Sequence, residues 1–233
     1  MDVLTDIPFD LNAKPLATKV GLEEDSEEAE DFRRMLAAAR AVGRPKAVCK
    51  LAFIEARGED TVTCGGATFR SRVLRANLDK AGRVFAFVAT CGAELDRIEL
   101  PAGDVFSQFW LDCIKAAVLG FAVKHLHEHL SRKYALGKTA VMSPGSGDAG
   151  VWPIEEQKVL FALLGNVEEL IGVRLTESSL MIPNKTVSGI RFPTDTDYDG
   201  CKVCHRPKCP SRRAPFDAEM ARALGHVLDD ESP

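Results

Sequence analysis

The sequence predicts a fold of mixed helices and strands built around one good core, and three observations predict it. Arg83 to Thr90 is a short apolar run (Val84, Phe85, Phe87, Val88) with the character of a central strand. Asp104 to Tyr134 repeats apolar residues at steps of three and four (Val105, Phe106, Phe109, Trp110, Cys113, Ile114, Ala117, Val118, Phe121) with no proline, the pattern of a long helix. The chain has 233 residues, 45% of them hydrophobic, enough for one core or for a domain plus a tail.

Taken in order, residues 1–23 alternate weakly and predict an edge strand or an arm. Glu23 to Asp31 is acidic and precedes an amphipathic helix over Phe32–Val42, stopped by Gly43 and Pro45. Such a run reads as a solvated helix N-terminus, where the dipole favours negative charge. Ala47 to Ala56 has strand character, and Arg70 to Leu78 looks helical. Gly120 inside the long helix predicts close packing or a bend, at a cost of roughly 1 kcal/mol against alanine. That helix closes on His125-Leu126-His127-Glu128-His129, where His125 and His129 share a face. A zinc-protease signature fails, because its second histidine would fall at Ser131; the histidines read as polar residues near a helix C-terminus. Cys49 and Cys113 are expected to be buried and inert.

Ser143-Pro144-Gly145-Ser146-Gly147-Asp148-Ala149-Gly150 is too flexible for an element interior. Trp152-Pro153 then opens a helix with Glu155 and Glu156 in its first turn and Gly165 as its stop. A glycine-rich approach to a helix N-terminus can present N–H groups to an anion, although neither a P-loop nor a dinucleotide fingerprint fits. Further on, Thr176-Glu177-Ser178 interrupts an apolar run, and Pro183 forbids a central ladder position. Buried polar side chains need partners, so the segment is expected to line a cleft, or else to form a capped turn. Glu177 is the carboxylate to watch, either for proton transfer or ligand binding in an apolar pocket, or for bracing the loop.

These two segments carry a resemblance. Ser143-Pro144-Gly145, Gly147-Asp148, Trp152-Pro153, Glu156-Gln157-Lys158, Leu160-Phe161 and Leu164, followed by Ile171-Gly172-Val173, Leu175-Thr176-Glu177-Ser178, Met181, Pro183 and Val187-Ser188-Gly189, resemble the activation domain of cobalamin-dependent methionine synthase. Phe85 to Gly92 and Leu126-His127-Glu128 resemble it more weakly, so that the likeness spans roughly 45–195. It implies an α+β fold, a twisted and mainly antiparallel sheet with long helices. It also implies S-adenosylmethionine binding, with Pro144, Gly145, Gly147, Asp148, Thr176, Glu177 and Ser178 at the ligand face. Cobalamin would be held by a partner, a corrinoid protein such as a split methionine synthase, and the role would be reductive methylation of its oxidised cofactor.

The sequence departs from the family at the ligand loop R-x-x-P-G-Y. Val141 stands at the arginine position and Ser146 at the tyrosine position. An isopropyl group cannot supply the fork of donors that a guanidinium offers a carboxylate, which leaves Arg191 or Arg174 to do so from another direction. An acidic ligand position of the family falls near Gly120. The departures define an alternative: a non-catalytic corrinoid-protein-binding or metal-stabilised adaptor that does not bind S-adenosylmethionine.

Cys201-Lys-Val-Cys204-His-Arg-Pro-Lys-Cys209 is a C-x2-C-x4-C cluster, and thiolates two residues apart can converge on one ion. The expected occupant is zinc or an iron–sulfur cluster, with His205, Cys64, Cys91 or an exogenous group as fourth ligand; the alternative is a set of free or redox-active thiols. A low-potential cluster beside cobalamin would suit reductive chemistry, and a separate electron-donor protein would feed it. Lys202, Arg206, Lys208, Arg212 and Arg213 would offset the thiolate charge.

A net charge of −4 argues against nucleic acid as a partner. The N-terminus shows no charged start, apolar run and cleavage site, so no secretion signal is expected, and no uninterrupted apolar stretch approaches membrane-span length. Seven cysteines, an odd number, fit a reduced, cytoplasmic setting. The expected organisation is an arm and helix over 1–43, a core over 44–197, and a Cys-rich knuckle with a C-terminal helix over 198–233.

Overall fold

The structure, a computed structural model, describes residues 1–226 apart from Glu24 and Ala149. Its centre is β5 (Arg83–Thr90), which pairs antiparallel with β2 (Lys46–Arg57) on one side and with β9 (Thr186–Pro193) on the other. Beyond β9 lies β6 (Thr139–Met142); beyond β2 lies the hairpin of β3 (Thr61–Cys64) and β4 (Ala67–Arg70). β1 (Asp2–Leu4) pairs with residues 47–49 of β2, so the arm does end in an edge strand. All pairings are antiparallel. A two-stranded ribbon, β7 (Arg174–Leu175) with β8 (Met181–Ile182), stands apart.

Period-two alternation on β5 divides the core. Phe85, Phe87 and Ala89 face one side with Ala122, Leu126 and Leu130 of α4 (Val105–Tyr134). Val84, Ala86 and Val88 face the other, with Phe69, Trp152 and residues of α3 (Arg72–Asn77), α5 (Gln157–Leu164) and α6 (Val167–Ile171). Because both faces are covered, β5 is nearly all apolar. A third cluster joins α2 (Glu27–Val42) to the first half of α4 through Phe32, Leu36, Trp110 and Ile114. Ser26 caps α2 by accepting from the Ala29 N–H, and Glu27, Glu28 and Glu30 occupy its first turn, as the acidic run predicted.

Several expectations are corrected. Residues 13–19 form a short helix, α1 (Ala13–Lys19), in place of extended arm. A Cβ added at Gly120 would meet nothing within 4 Å, so this glycine faces open space and serves no close packing. Cys113 is half-buried, whereas Cys49 is buried and burial pushes its thiol up to about 11. Two of the α4 histidines are not solvated edge residues: His129 Nε2 lies 2.9 Å from Asp2 Oδ2, and His127 is half-buried with its Nδ1 shielded and unpartnered among the described residues. Among the described residues α4 is also long and apolar enough to cross a membrane by length and composition, contrary to the sequence reading. One side of it is packed on the sheet and on α2, which accounts for much of that apolar character.

Candidate functional site

The loop that follows β6 and the segment that precedes β9 enclose a cleft of about 550 Å³. Pro144, Gly145, Ser146 and Ser143 line one wall; Thr176, Ser179, Leu180, Met181 and Ile182 line the other. Gly145 adopts φ 73°, donates its N–H to the Trp152 carbonyl at 2.8 Å and leaves no room for a side chain, since a Cβ would lie 2.8 Å from Ile154 Cγ1. Opposite, Thr176 holds the β7–β8 turn: its N–H donates to the Leu180 carbonyl at 2.8 Å and its Oγ1 accepts from the Leu180 N–H at 3.0 Å. The floor is polar and internally satisfied, Ser188 donating to Gln157 Oε1 at 2.6 Å with both residues buried. The Thr186 hydroxyl donates to the Pro183 carbonyl at 2.8 Å.

A second cleft of about 430 Å³ shares Ser143, Ser146 and Val187 with the first, so the loop is a partition between the two. It is lined further by Val141, His127, Tyr198 and Arg213. Burial, aided by the nearby Arg191 charge, lowers the His127 pKa to about 4, which keeps the ring neutral at physiological pH. Burial also raises the Tyr198 hydroxyl, which therefore stays protonated.

The structure brings together Pro144, Gly145 and Thr176 and leaves the other expected ligand residues outside the first cleft's lining. Glu177 and Ser178 are exposed on the ribbon turn, with Ser178 Oγ 3.0 Å from Thr176 Oγ1, so Glu177 does not sit in an apolar pocket. Gly147 and Asp148 turn instead toward the C-terminal segment. Neither guanidinium expected to replace the missing arginine is available to either cleft. Arg191 is buried and spends its donors on Thr139 Oγ1, the His127 carbonyl and Ser131 Oγ at 2.7–2.9 Å, and Arg174 is exposed on β7 and lines neither cleft. The arginine that does line the second cleft is Arg213, with its side chain largely exposed; it was missed because it lies 72 positions from Val141 in sequence.

The cysteine segment folds as a 3-10 turn over Gly200–Val203 followed by irregular chain. Cys201 is half-buried, Cys204 buried and Cys209 exposed. Arg212 does not serve the thiols; it braces the segment by donating to the Cys201, Cys204 and Ala214 carbonyls at 2.8–3.0 Å. The three sulfurs are not drawn into one ligand set. Among the described residues, the three metal-ligating side chains that are so gathered are Asp148, His205 and His226.

No family model and no curated protein matches the chain. Among solved structures, a crystal structure of the MetH reactivation domain bound to AdoHcy is similar, with a TM-score of 0.55 and 18% identity over 95% of this chain and 80% of that one. The chain has the reactivation-domain fold. The α+β class expected from the resemblance, a mainly antiparallel sheet with long helices, is therefore observed.

Proposed function

We propose that this chain is an accessory protein that reactivates oxidised cobalamin on a separate corrinoid protein, such as a split methionine synthase, by supporting reductive methylation with S-adenosylmethionine. The observation that carries this reading is the cleft between the 143–146 loop and the 176–188 segment, in a fold whose MetH counterpart binds AdoHcy.

S-adenosylmethionine is a substrate here, and the residues present can accommodate it. A cleft of about 550 Å³ is within the usual size for such ligands, and Met181, Ile154 and Val187 offer apolar wall while Asn184 and Thr176 offer polar contacts. Its carboxylate falls to Arg213, a residue that lines the adjoining cleft together with Val141 and Ser146. Asp199 lies 3.3 Å from Arg213 NH2 and orients it. The partner's corrinoid would supply the methyl acceptor once a donor protein had reduced it by one electron, and S-adenosylmethionine would give its methyl group and leave as S-adenosylhomocysteine. The chain's own contribution is to hold the methyl donor at the cleft and to present an apolar rim, exposed Leu180 and Ile182, to the partner.

Calorimetry with S-adenosylmethionine, on the chain alone and with its Co(II) corrinoid partner, tests the reading. Micromolar binding that weakens at least tenfold in Arg213→Ala is expected, together with recovery of methylated cobalamin when reductant is supplied. No uptake in either setting favours the second reading, a corrinoid-protein-binding adaptor, which rests on Val141 and Ser146 standing where the family has arginine and tyrosine.

A further inference from the structure

Three segments far apart in sequence meet beside the partition loop. Asp148 comes from the loop itself, His205 from the cysteine segment, and His226 from the turn after α7 (Ala218–Ala223). Asp148 Oδ2 lies 2.9 Å from His205 Nδ1 and 3.6 Å from His226 Nε2, and all three ligand atoms lie within 4.8 Å of one another. The other carboxylate oxygen, Oδ1, accepts the Gly150 N–H at 3.0 Å, which turns Oδ2 toward the histidines. His205 and His226 stack with centroids 5.1 Å apart, and Phe216 makes a tilted ring contact with His205 at 4.9 Å.

The observation that separates this cluster from an ordinary surface ion pair is His226. Its side chain is only 5% exposed, and Nε2 is buried with no hydrogen-bond partner among the described residues while aimed at Asp148. A buried imidazole nitrogen without a partner is costly, and native structures rarely leave one so. The Gly150 position matters too: a Cβ there would lie 3.3 Å from His226 Cε1, so glycine leaves the ring its place.

We propose that Asp148, His205 and His226 bind one divalent zinc ion, with a water as the fourth ligand. Two imidazoles and a carboxylate are a borderline nitrogen–oxygen set that suits zinc. Zinc–ligand bonds of about 2.0–2.1 Å place tetrahedral ligand atoms roughly 3.3 Å apart, which the observed 2.9 and 3.6 Å separations bracket. The ion removes the orphan at His226 and pins the partition loop to the C-terminal segment. No cysteine is required, although His205 lies within the C-x2-C-x4-C segment, so the ligand set differs from a thiolate one. It also stands apart from any reading of the clefts.

Metal-free full-length chain titrated with zinc against a chromophoric chelator, and separately with cobalt(II), tests it. One ion per chain is expected, with affinity falling at least tenfold in His226→Ala, His205→Ala and Asp148→Asn, each checked for folding by circular dichroism. The cobalt(II) spectrum of the wild-type chain should show d–d bands without a strong thiolate-to-metal charge-transfer band. Three results overturn the proposal: no binding at micromolar zinc, unchanged affinity in folded Asp148→Asn and His226→Ala, or a strong thiolate charge-transfer band, which would assign the ion to the cysteines.

Discussion

Single residues decide how closely the partition loop can approach the sheet. Gly189 lies in β9, and a Cβ there would stand 2.5 Å from the Met142 carbonyl oxygen and 2.7 Å from Ser143 Oγ. Backbone cannot yield as a flexible side chain would, so Gly189→Ala should cost roughly 1–3 kcal/mol, read as a lower urea midpoint. His127 provides a second residue-scale test. Its folded pKa of about 4 lies below the ordinary 6.5, so the unfolded chain binds the proton first as pH falls. Stability is therefore full above about pH 6.5, declines as pH drops toward 4, and levels off below the folded value, with a total loss of ~3 kcal/mol. Carboxylates such as Asp2 and Glu94, whose pKa values are lowered by their partners, also lose stability in acid. The His127 share is the difference between wild type and His127→Leu. An identical pH–stability slope in the two proteins would contradict it. Neither effect was legible in the sequence: Gly189 is one glycine in a strand, and His127 reads as a helix-end residue until β9 and Arg191 are placed against it.

Elements were legible where the pattern was long or strictly periodic. β5 and α4 announced themselves because each buries enough apolar surface to impose its own period. The β3–β4 hairpin went unread although Gly65-Gly66 separates Thr61–Cys64 from Ala67–Arg70, a recognisable hairpin signal. The cleft walls were readable as loops with polar interruptions, but their mutual placement was not, since it depends on β9 lying between β5 and β6. One element-scale contact ties a helix to that loop region. Ser71 caps α3 by accepting from the Leu74 N–H at 2.9 Å and donates its own proton to the Val151 carbonyl at 2.6 Å. Ser71→Ala removes the cap and orphans a buried carbonyl, so it should cost about 2 kcal/mol. Amide exchange should quicken in both α3 and residues 150–152; exchange confined to α3 would show that the Val151 bond contributes nothing.

At the scale of the whole molecule, the C-terminal segment is woven into the core. Val203 and Ala221 are fully buried in the cluster that contains Trp152 and Phe69, and Met220, Leu224 and Tyr198 pack against it. The Asp217 N–H donates to the Lys202 carbonyl at 2.8 Å, locking α7 to the 3-10 turn. This segment also supplies Arg213 to the second cleft and the two histidines that face Asp148. A chain ending at residue 197 therefore loses core, cleft wall and loop anchor together. Each buried apolar side chain is worth about 1.5–3 kcal/mol, so the truncation should remove several kcal/mol. For a chain of this length that corresponds to a fall in Tm of roughly 10 °C or more. Calorimetric unfolding of the full chain should be one cooperative transition, because the segment shares its core with the sheet. Two resolved transitions, or a truncated chain that melts at the full-length temperature, would instead make residues 198–226 an appended module and would leave Arg213 without a structural claim on the second cleft.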